Sequence, residues 1–103
     1  MKKSLLAATA LLTLVLSTAA SAQGPRYQFN RNNTPGWSLM TPEERAEHRN
    51  RMLAARTYEE CRQIQEEHRK AMEARAKEKG ITLGTPRYNA CERMKARGFF
   101  KEQ

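Results

Sequence analysis

The 103-residue sequence contains no aspartate, and all eleven of its acidic residues are glutamates. Beyond residue 22 it also contains no valine and only one serine, Ser38. It has no G-x-S-x-G, no H-E-x-x-H and no glycine-rich phosphate-loop motif. The usual signatures of hydrolytic and phosphoryl-transfer chemistry are therefore missing, and we expect the protein not to be an enzyme.

Cysteine is scarce, because Cys61 and Cys91 are the only two and no C-x-x-C pair exists. Cys61 and His68 would lie about 10 Å apart along a helix, too far for a nucleophile and its base. In an exported chain, an even number of cysteines favours a disulfide. We therefore predict a Cys61–Cys91 bridge. The alternative is a pair of free thiolates that bind a metal or do redox work.

Long apolar runs are confined to the first 22 residues. Two lysines and the apolar stretch 5–16 are followed by Ala-Ser-Ala, which fits the small-x-small rule of signal peptidase. The stretch is shorter than the roughly 20 residues that span a bilayer. We predict a signal peptide over 1–22 that is cut after Ala22, and we expect the mature chain, 23–103, in the bacterial periplasm.

Three capping patterns mark helix starts, each with an Asn or Thr followed three residues later by Glu. They predict helices over about 42–55, 58–79 and 90–97. Glycine favours the end of a helix, so Gly80 and Gly98 should stop the second and third helices.

The segment 80–88 contains two glycines and a proline and predicts an extended return along the second helix. Its reach of about 33 Å is enough to bring Cys91 back beside Cys61. The predicted fold is all-α: a small helical hairpin with a short third helix, stapled by the disulfide, in one domain over 39–103. Residues 23–38 are rich in Asn, Gln, Pro and Gly and predict a flexible, disordered N-terminal arm.

The apolar residues of the two long helices form narrow stripes. At helical spacing the second helix aligns Cys61, Ile64, His68, Met72 and Ala76. The first helix aligns Leu39, Ala46 and Leu53, with Met52 to one side. Such thin faces can pack as a hairpin, and they could also pair with a second copy of the chain in a homodimer.

The pattern E-H-R-x-x-M occurs in both long helices at a period of 20 residues. Each copy puts a histidine and a methionine four residues apart on one side of the helix. The simplest interpretation is a duplicated contact face with no cofactor. The alternative is a copper or zinc site, because imidazole and thioether are soft-metal ligands. Its candidate ligands are His48, Met52, His68 and Met72.

After residue 22 the chain has seventeen basic side chains and eleven glutamates, a net charge of +6. A net positive charge of this size favours an anionic partner. Nucleic acid is not expected, because an exported chain is separated from the DNA and RNA of the cytoplasm. The remaining partners are a protein client, an envelope component or an anionic lipid surface. The C-terminal cluster suits a membrane surface or a partner groove, and it comprises Arg93, Lys95, Arg97, Phe99, Phe100 and Lys101. The alternative is that its two phenylalanines pack on the helices.

The segment 39–45, Leu-Met-Thr-Pro-Glu-Glu-Arg, resembles the L-T-x-x-Q box of the Spy and CpxP group. That resemblance implies a small, all-helical, periplasmic stress protein that acts as a chaperone or as a signalling inhibitor, with relatives that bind metals. The expected function is a non-enzymatic binding or accessory protein, chaperone-like or regulatory. The alternatives are a copper or zinc homeostasis protein and a structural envelope protein that binds anionic surfaces.

Overall fold

The computed structural model describes residues 26–101. The predicted signal peptide, 1–22, and the first residues of the predicted arm, 23–25, lie outside the described residues. Three α-helices and one short 3-10 helix make up the described part, which contains no β-strand. They are the 3-10 helix Trp37–Leu39, α1 (Pro42–Ala54), α2 (Tyr58–Glu78) and α3 (Ala90–Ala96). The prediction of an all-α fold is confirmed.

The predicted capping residues begin all three α-helices. The Thr41 hydroxyl accepts a hydrogen bond from the Glu44 amide at 3.1 Å, and the Glu44 carboxylate accepts one from the Thr41 amide at 2.8 Å. The side chains of Thr57 and Asn89 accept the equivalent bonds at the starts of α2 and α3. Each cap satisfies an amide that has no partner within its helix.

The second helix ends where the sequence predicts, at Gly80. This glycine has a φ of 70°, which lets the chain leave the helix in the left-handed conformation. The Ile81 amide then donates to the Ala76 carbonyl at 3.0 Å and the Gly80 amide to the Lys77 carbonyl at 3.1 Å. These two bonds close the last turn in a Schellman motif.

Helices α1 and α2 form an antiparallel hairpin across a three-residue connection, 55–57. The start of one helix contacts the end of the other in a regular order, through the pairs Glu44 with Arg75, His48 with His68, and Arg51 with Glu67. Four residues of the stripe predicted for α2 are buried, and these are Cys61, His68, Met72 and Ala76.

The face that α1 buries differs from the predicted one. Its buried residues are His48 and Met52, whereas Leu53 is 38% exposed. Neighbouring helical positions are 100° apart, so turning His48 towards α2 turns Leu53 away from it. The predicted apolar line Leu39, Ala46, Leu53 is therefore not the packing face of α1.

The disulfide joins Cys61 in the first turn of α2 to Cys91 in the first turn of α3, with a Cα–Cα distance of 5.8 Å. Both cysteines are fully buried. The bridge lies within the main hydrophobic core, whose other buried members are Tyr27, Met52, Ala90, Met94 and Phe100. The predicted disulfide is confirmed. The predicted return of the chain is also confirmed, because Thr85, Pro86 and Tyr88 line a cavity together with residues of α2.

Most of the predicted flexible arm is packed, which corrects that prediction for residues 26–38. Tyr27 is 6% exposed and belongs to the core, and Thr34 is 2% exposed. The Asn33 side chain organises the arm, because it accepts from the Asn30 amide at 2.9 Å and donates to the Gln28 carbonyl at 2.8 Å. An asparagine-rich segment can be ordered when its side chains bond its own backbone in this way.

The end of the arm lies directly on α2 at Gly36. This residue has a φ of 69°, and a Cβ atom there would lie 2.5 Å from Cγ and 2.7 Å from Sδ of Met72. Arg45 fixes the next stretch, because its guanidinium donates two hydrogen bonds to the Trp37 carbonyl and covers the indole ring at 4.5 Å. The end of the arm thus contacts both helices of the hairpin, at Met72 of α2 and at Arg45 of α1.

We predict that removal of the disulfide destabilises the fold by about 3.6 kcal/mol, the loop-closure entropy of a loop of about 30 residues. The variant Cys61→Ser/Cys91→Ser should show this loss in urea unfolding followed by circular dichroism. Reductant should lower the stability of the wild-type protein by a similar amount and leave the double variant unchanged. Equal stability of the oxidised wild-type protein and the double variant would contradict the prediction.

We predict that Gly36→Ala destabilises the protein by about 1–3 kcal/mol, because the new methyl group meets Met72 and the positive φ strains any other residue. Thermal unfolding measures the effect. Gly84→Ala is the matched control, because a Cβ atom at Gly84 would contact nothing within 4 Å. A similar loss in both variants would show that the close approach at Gly36 is unimportant.

Candidate functional site

Two histidines meet where α1 crosses α2. The rings of His48 and His68 stack with centroids 4.0 Å apart and planes 29° apart, and the side chains are 6% and 9% exposed. Nε2 of His68 lies 2.8 Å from the Pro35 carbonyl oxygen. Because a carbonyl oxygen can only accept, Nε2 carries the proton, and Nδ1 of the neutral ring has a free lone pair.

Burial keeps both rings neutral. Desolvation lowers the pKa of His48 from 6.5 to about 3, with smaller contributions from His68 and the Arg51 charge. Desolvation also lowers the pKa of His68, and the charges of Arg75 and Arg51 act in the same direction against the Pro35 hydrogen bond. A pair of neutral, stacked imidazoles is therefore the state of this site at neutral pH.

The rings line a cavity of about 290 Å³. We call it the histidine cavity, and the residues that matter here are Met40, His48, His68 and Met72. Three of the four predicted metal ligands therefore share one wall, whereas the fourth, Met52, is 1% exposed within the main core. Met40 was missed because it lies between the arm and α1, outside either copy of the repeated pattern.

Within residues 26–101, no group of three or more His, Cys, Asp or Glu side chains could hold a metal ion.

A second cavity, of about 420 Å³, opens between the arm and α3. We call it the arginine cavity and define it by Arg26, Arg93 and Arg97. The guanidinium of Arg93 lies 3.9 Å from the centre of the Tyr88 ring, and that of Arg97 lies 5.2 Å from the centre of the Tyr27 ring. Stacking uses the face of a guanidinium and leaves its in-plane N–H groups able to bind an anion.

The arginine cavity has a strong local excess of positive charge. No carboxylate lines it, and the remaining wall is made of asparagine, glutamine and tyrosine side chains. Within residues 26–101 none of the three arginines forms an ion pair with a glutamate, whereas four arginines of the hairpin do, namely Arg51, Arg62, Arg69 and Arg75. The arrangement can therefore accept an anionic group with several charge-assisted hydrogen bonds.

The predicted C-terminal anion-contact cluster divides into two parts. Arg93 and Arg97 line the arginine cavity, Lys95 covers the Tyr58 ring at 4.4 Å, and Lys101 is exposed. The two phenylalanines correct the prediction, since Phe100 is 3% exposed in the main core and Phe99 packs against it. The turn after α3 at Gly98 directs both rings back towards the disulfide instead of outwards.

The arm residues of the arginine cavity were missed because the arm was predicted to be flexible. Its sequence holds one usable signal, the pairing of Arg26 with two aromatic residues just before an asparagine-rich turn. Tyr88 was missed for a related reason, because it lies in the return segment. The hydrogen bond from its amide to the Asn32 carbonyl, at 2.8 Å, brings that segment to the arm.

Comparisons of the chain with protein-family models, with curated proteins and with solved structures found no match. No helix within residues 26–101 has both the length and the apolar character that a membrane crossing requires. The function must therefore be inferred from the residues and charges of the two cavities.

We predict that the protein loses stability between pH 6.5 and pH 3 as His48 is protonated. The pKa is lower in the folded state, so the contribution is complete above pH 6.5 and is lost as the pH falls. At pH 5 the loss from His48 is about 2 kcal/mol, at about 1.4 kcal/mol per pH unit. Urea unfolding at pH 7.5 and pH 5 measures it.

The control for this prediction is His48→Phe, which keeps an aromatic ring beside His68 and Phe29 and removes the titrating group. Its stability should fall less than that of the wild-type protein between the two pH values. An identical pH dependence in the two proteins would rule out His48 as the source.

Proposed function

We propose that the protein is a non-enzymatic binding protein of the bacterial periplasm, and that its arginine cavity binds an acidic segment of a partner protein. The observation that carries this proposal is the set of three arginines around one open cavity, none of them neutralised by a glutamate within residues 26–101. Unpaired cations held side by side favour binding of an anion, because their mutual repulsion is relieved.

Export is supported by two independent features. The first 22 residues have the pattern of a cleaved signal peptide. The Cys61–Cys91 disulfide is compatible with an oxidising compartment, where such bonds form and persist. An acidic partner outside the cytoplasm would therefore be a periplasmic or envelope protein rather than a nucleic acid.

A protein segment fits the arginine cavity better than a lipid surface does. The side-chain amides of Gln28, Asn30 and Asn32 share the wall with the arginines and can bond peptide groups. The nearby apolar side chains that could enter a bilayer, Phe99 and Phe100, are instead used by the core. An acidic peptide supplies both carboxylates and backbone groups to such a wall.

In the cell, such a binding protein would act as a chaperone or as a regulator of a stress response. The large hydrophobic residues exposed within the described part of the chain are Leu53, Ile81 and Tyr88. They offer little apolar surface for binding unfolded clients indiscriminately. We therefore propose that clients or regulatory partners are recognised mainly by their negative charge.

Fluorescence anisotropy with a labelled hexaglutamate peptide tests the proposal. The wild-type protein should bind this probe with an affinity that falls as salt is added. Arg93→Ala/Arg97→Ala should weaken binding by about tenfold, because it removes two sets of charge-assisted hydrogen bonds. Circular dichroism checks that the variant stays folded.

The matched control is Arg49→Ala/Lys70→Ala, which removes the same charge from exposed positions on α1 and α2. It should bind the peptide almost as well as the wild-type protein. An equal loss in both double variants would mean that net charge alone drives binding. Binding to anionic lipid vesicles without binding to the peptide would also refute a protein partner.

A further inference from the structure

The histidine cavity presents an unusual set of donor groups for a protein of this size. Two buried imidazoles, His48 and His68, and two buried thioethers, Met40 and Met72, line the same 290 Å³ space. Packing alone does not require sulfur at Met40 or Met72, since a leucine would occupy a similar volume.

Two of these residues are fixed against the same short stretch of the arm. Nε2 of His68 lies 2.8 Å from the Pro35 carbonyl oxygen. Met72 packs so closely on Gly36 that a Cβ atom added to this glycine would lie 2.7 Å from the Met72 Sδ atom. Stacking on His68 then fixes His48. The arm and the ring stacking therefore fix the positions of Met72 and of both histidine rings.

The charged residues around the histidine cavity are largely committed to each other. Glu44 forms a two-point ion pair with Arg75, at 2.9 and 2.8 Å, and Glu67 pairs with Arg51 at 3.2 Å. Two of the three carboxylates in the wall are thus engaged, and the third, Glu47, is exposed. The buried donors of the cavity are therefore neutral nitrogen and sulfur atoms.

We propose that the histidine cavity binds one Cu(I) ion, with His48, His68, Met40 and Met72 as its ligands. Thioether sulfur selects soft monovalent copper over hard cations, and imidazole nitrogen is a good copper ligand. Copper rather than zinc follows from the two sulfur donors, because no group of three or more His, Cys, Asp or Glu side chains within residues 26–101 could hold a metal ion.

This site is separate from the proposed acidic-segment site, because the histidine and arginine cavities share no lining residue. It also differs from the ligand set that the repeated sequence pattern suggests. Met52 belongs to the disulfide core, and Met40, which lies outside the pattern, takes its place.

Competition with the Cu(I) chelator bicinchoninate, in oxygen-free buffer with ascorbate, tests the proposal on the mature oxidised protein. One Cu(I) per chain should bind with a submicromolar Kd, and Zn(II) should bind far more weakly. Intact mass before and after the titration checks that the disulfide persists. Ag(I), a redox-inert substitute, should bind with the same stoichiometry in native mass spectrometry.

The decisive variant is Met40→Leu/Met72→Leu, which keeps the apolar volume and removes both sulfur donors. Loss of ligands should weaken Cu(I) binding at least as much as loss of outer-shell partners, which costs about 10- to 100-fold. The matched control is Met52→Leu/Met94→Leu, two methionines that are each 1% exposed in the main core. The control should bind Cu(I) as the wild-type protein does.

Methyl NMR of the wild-type protein keeps the test independent of how the variants fold. Addition of Ag(I) should shift the methyl signals of Met40 and Met72 and leave those of Met52 and Met94 in place. The proposal is overturned by the absence of one-to-one binding, by an equal loss of affinity in the two double variants, or by Zn(II) binding as tight as Cu(I) binding.

Discussion

The Cys61–Cys91 bond is the constraint on which the rest of the structure depends. It joins the first turn of α2 to the first turn of α3, across a Cα–Cα distance of 5.8 Å. Helix α3 has only seven residues, and so short a helix does not persist in water without tertiary support. Because the buried core consists of few side chains, a covalent link replaces the apolar area that a larger domain would use.

Both cavities are built by laying the arm on this stapled hairpin. The first half of the arm places Tyr27 in the core and meets α3, which creates the arginine cavity between them. The second half crosses α2 at Pro35 and Gly36 and contacts His68 and Met72, two residues of the histidine cavity. A single segment thus helps to form an arginine-lined site on one side and a site with buried histidine and methionine side chains on the other.

The helices and the disulfide were predictable from the sequence because each has a local signal. Capping residues such as Thr41 and terminating residues such as Gly80 mark the positions where the hydrogen bonds of a helix begin and end. The two cysteines of the sequence can form only one disulfide within the chain. The packing of the arm and the burial of His48 were not predictable in this way. They depend on contacts between distant residues, such as Tyr27 with Phe99 and His48 with His68, that composition and helical period do not encode.

We propose that this small protein works in its exported, oxidised form. Intact mass spectrometry of the protein purified from the periplasm, after treatment with a thiol-alkylating reagent under denaturing conditions without reductant, tests it most directly. The account predicts a chain that begins at Gln23, lacks two hydrogens relative to the dithiol, and carries no alkyl group. A full-length chain with both Cys61 and Cys91 alkylated would contradict it.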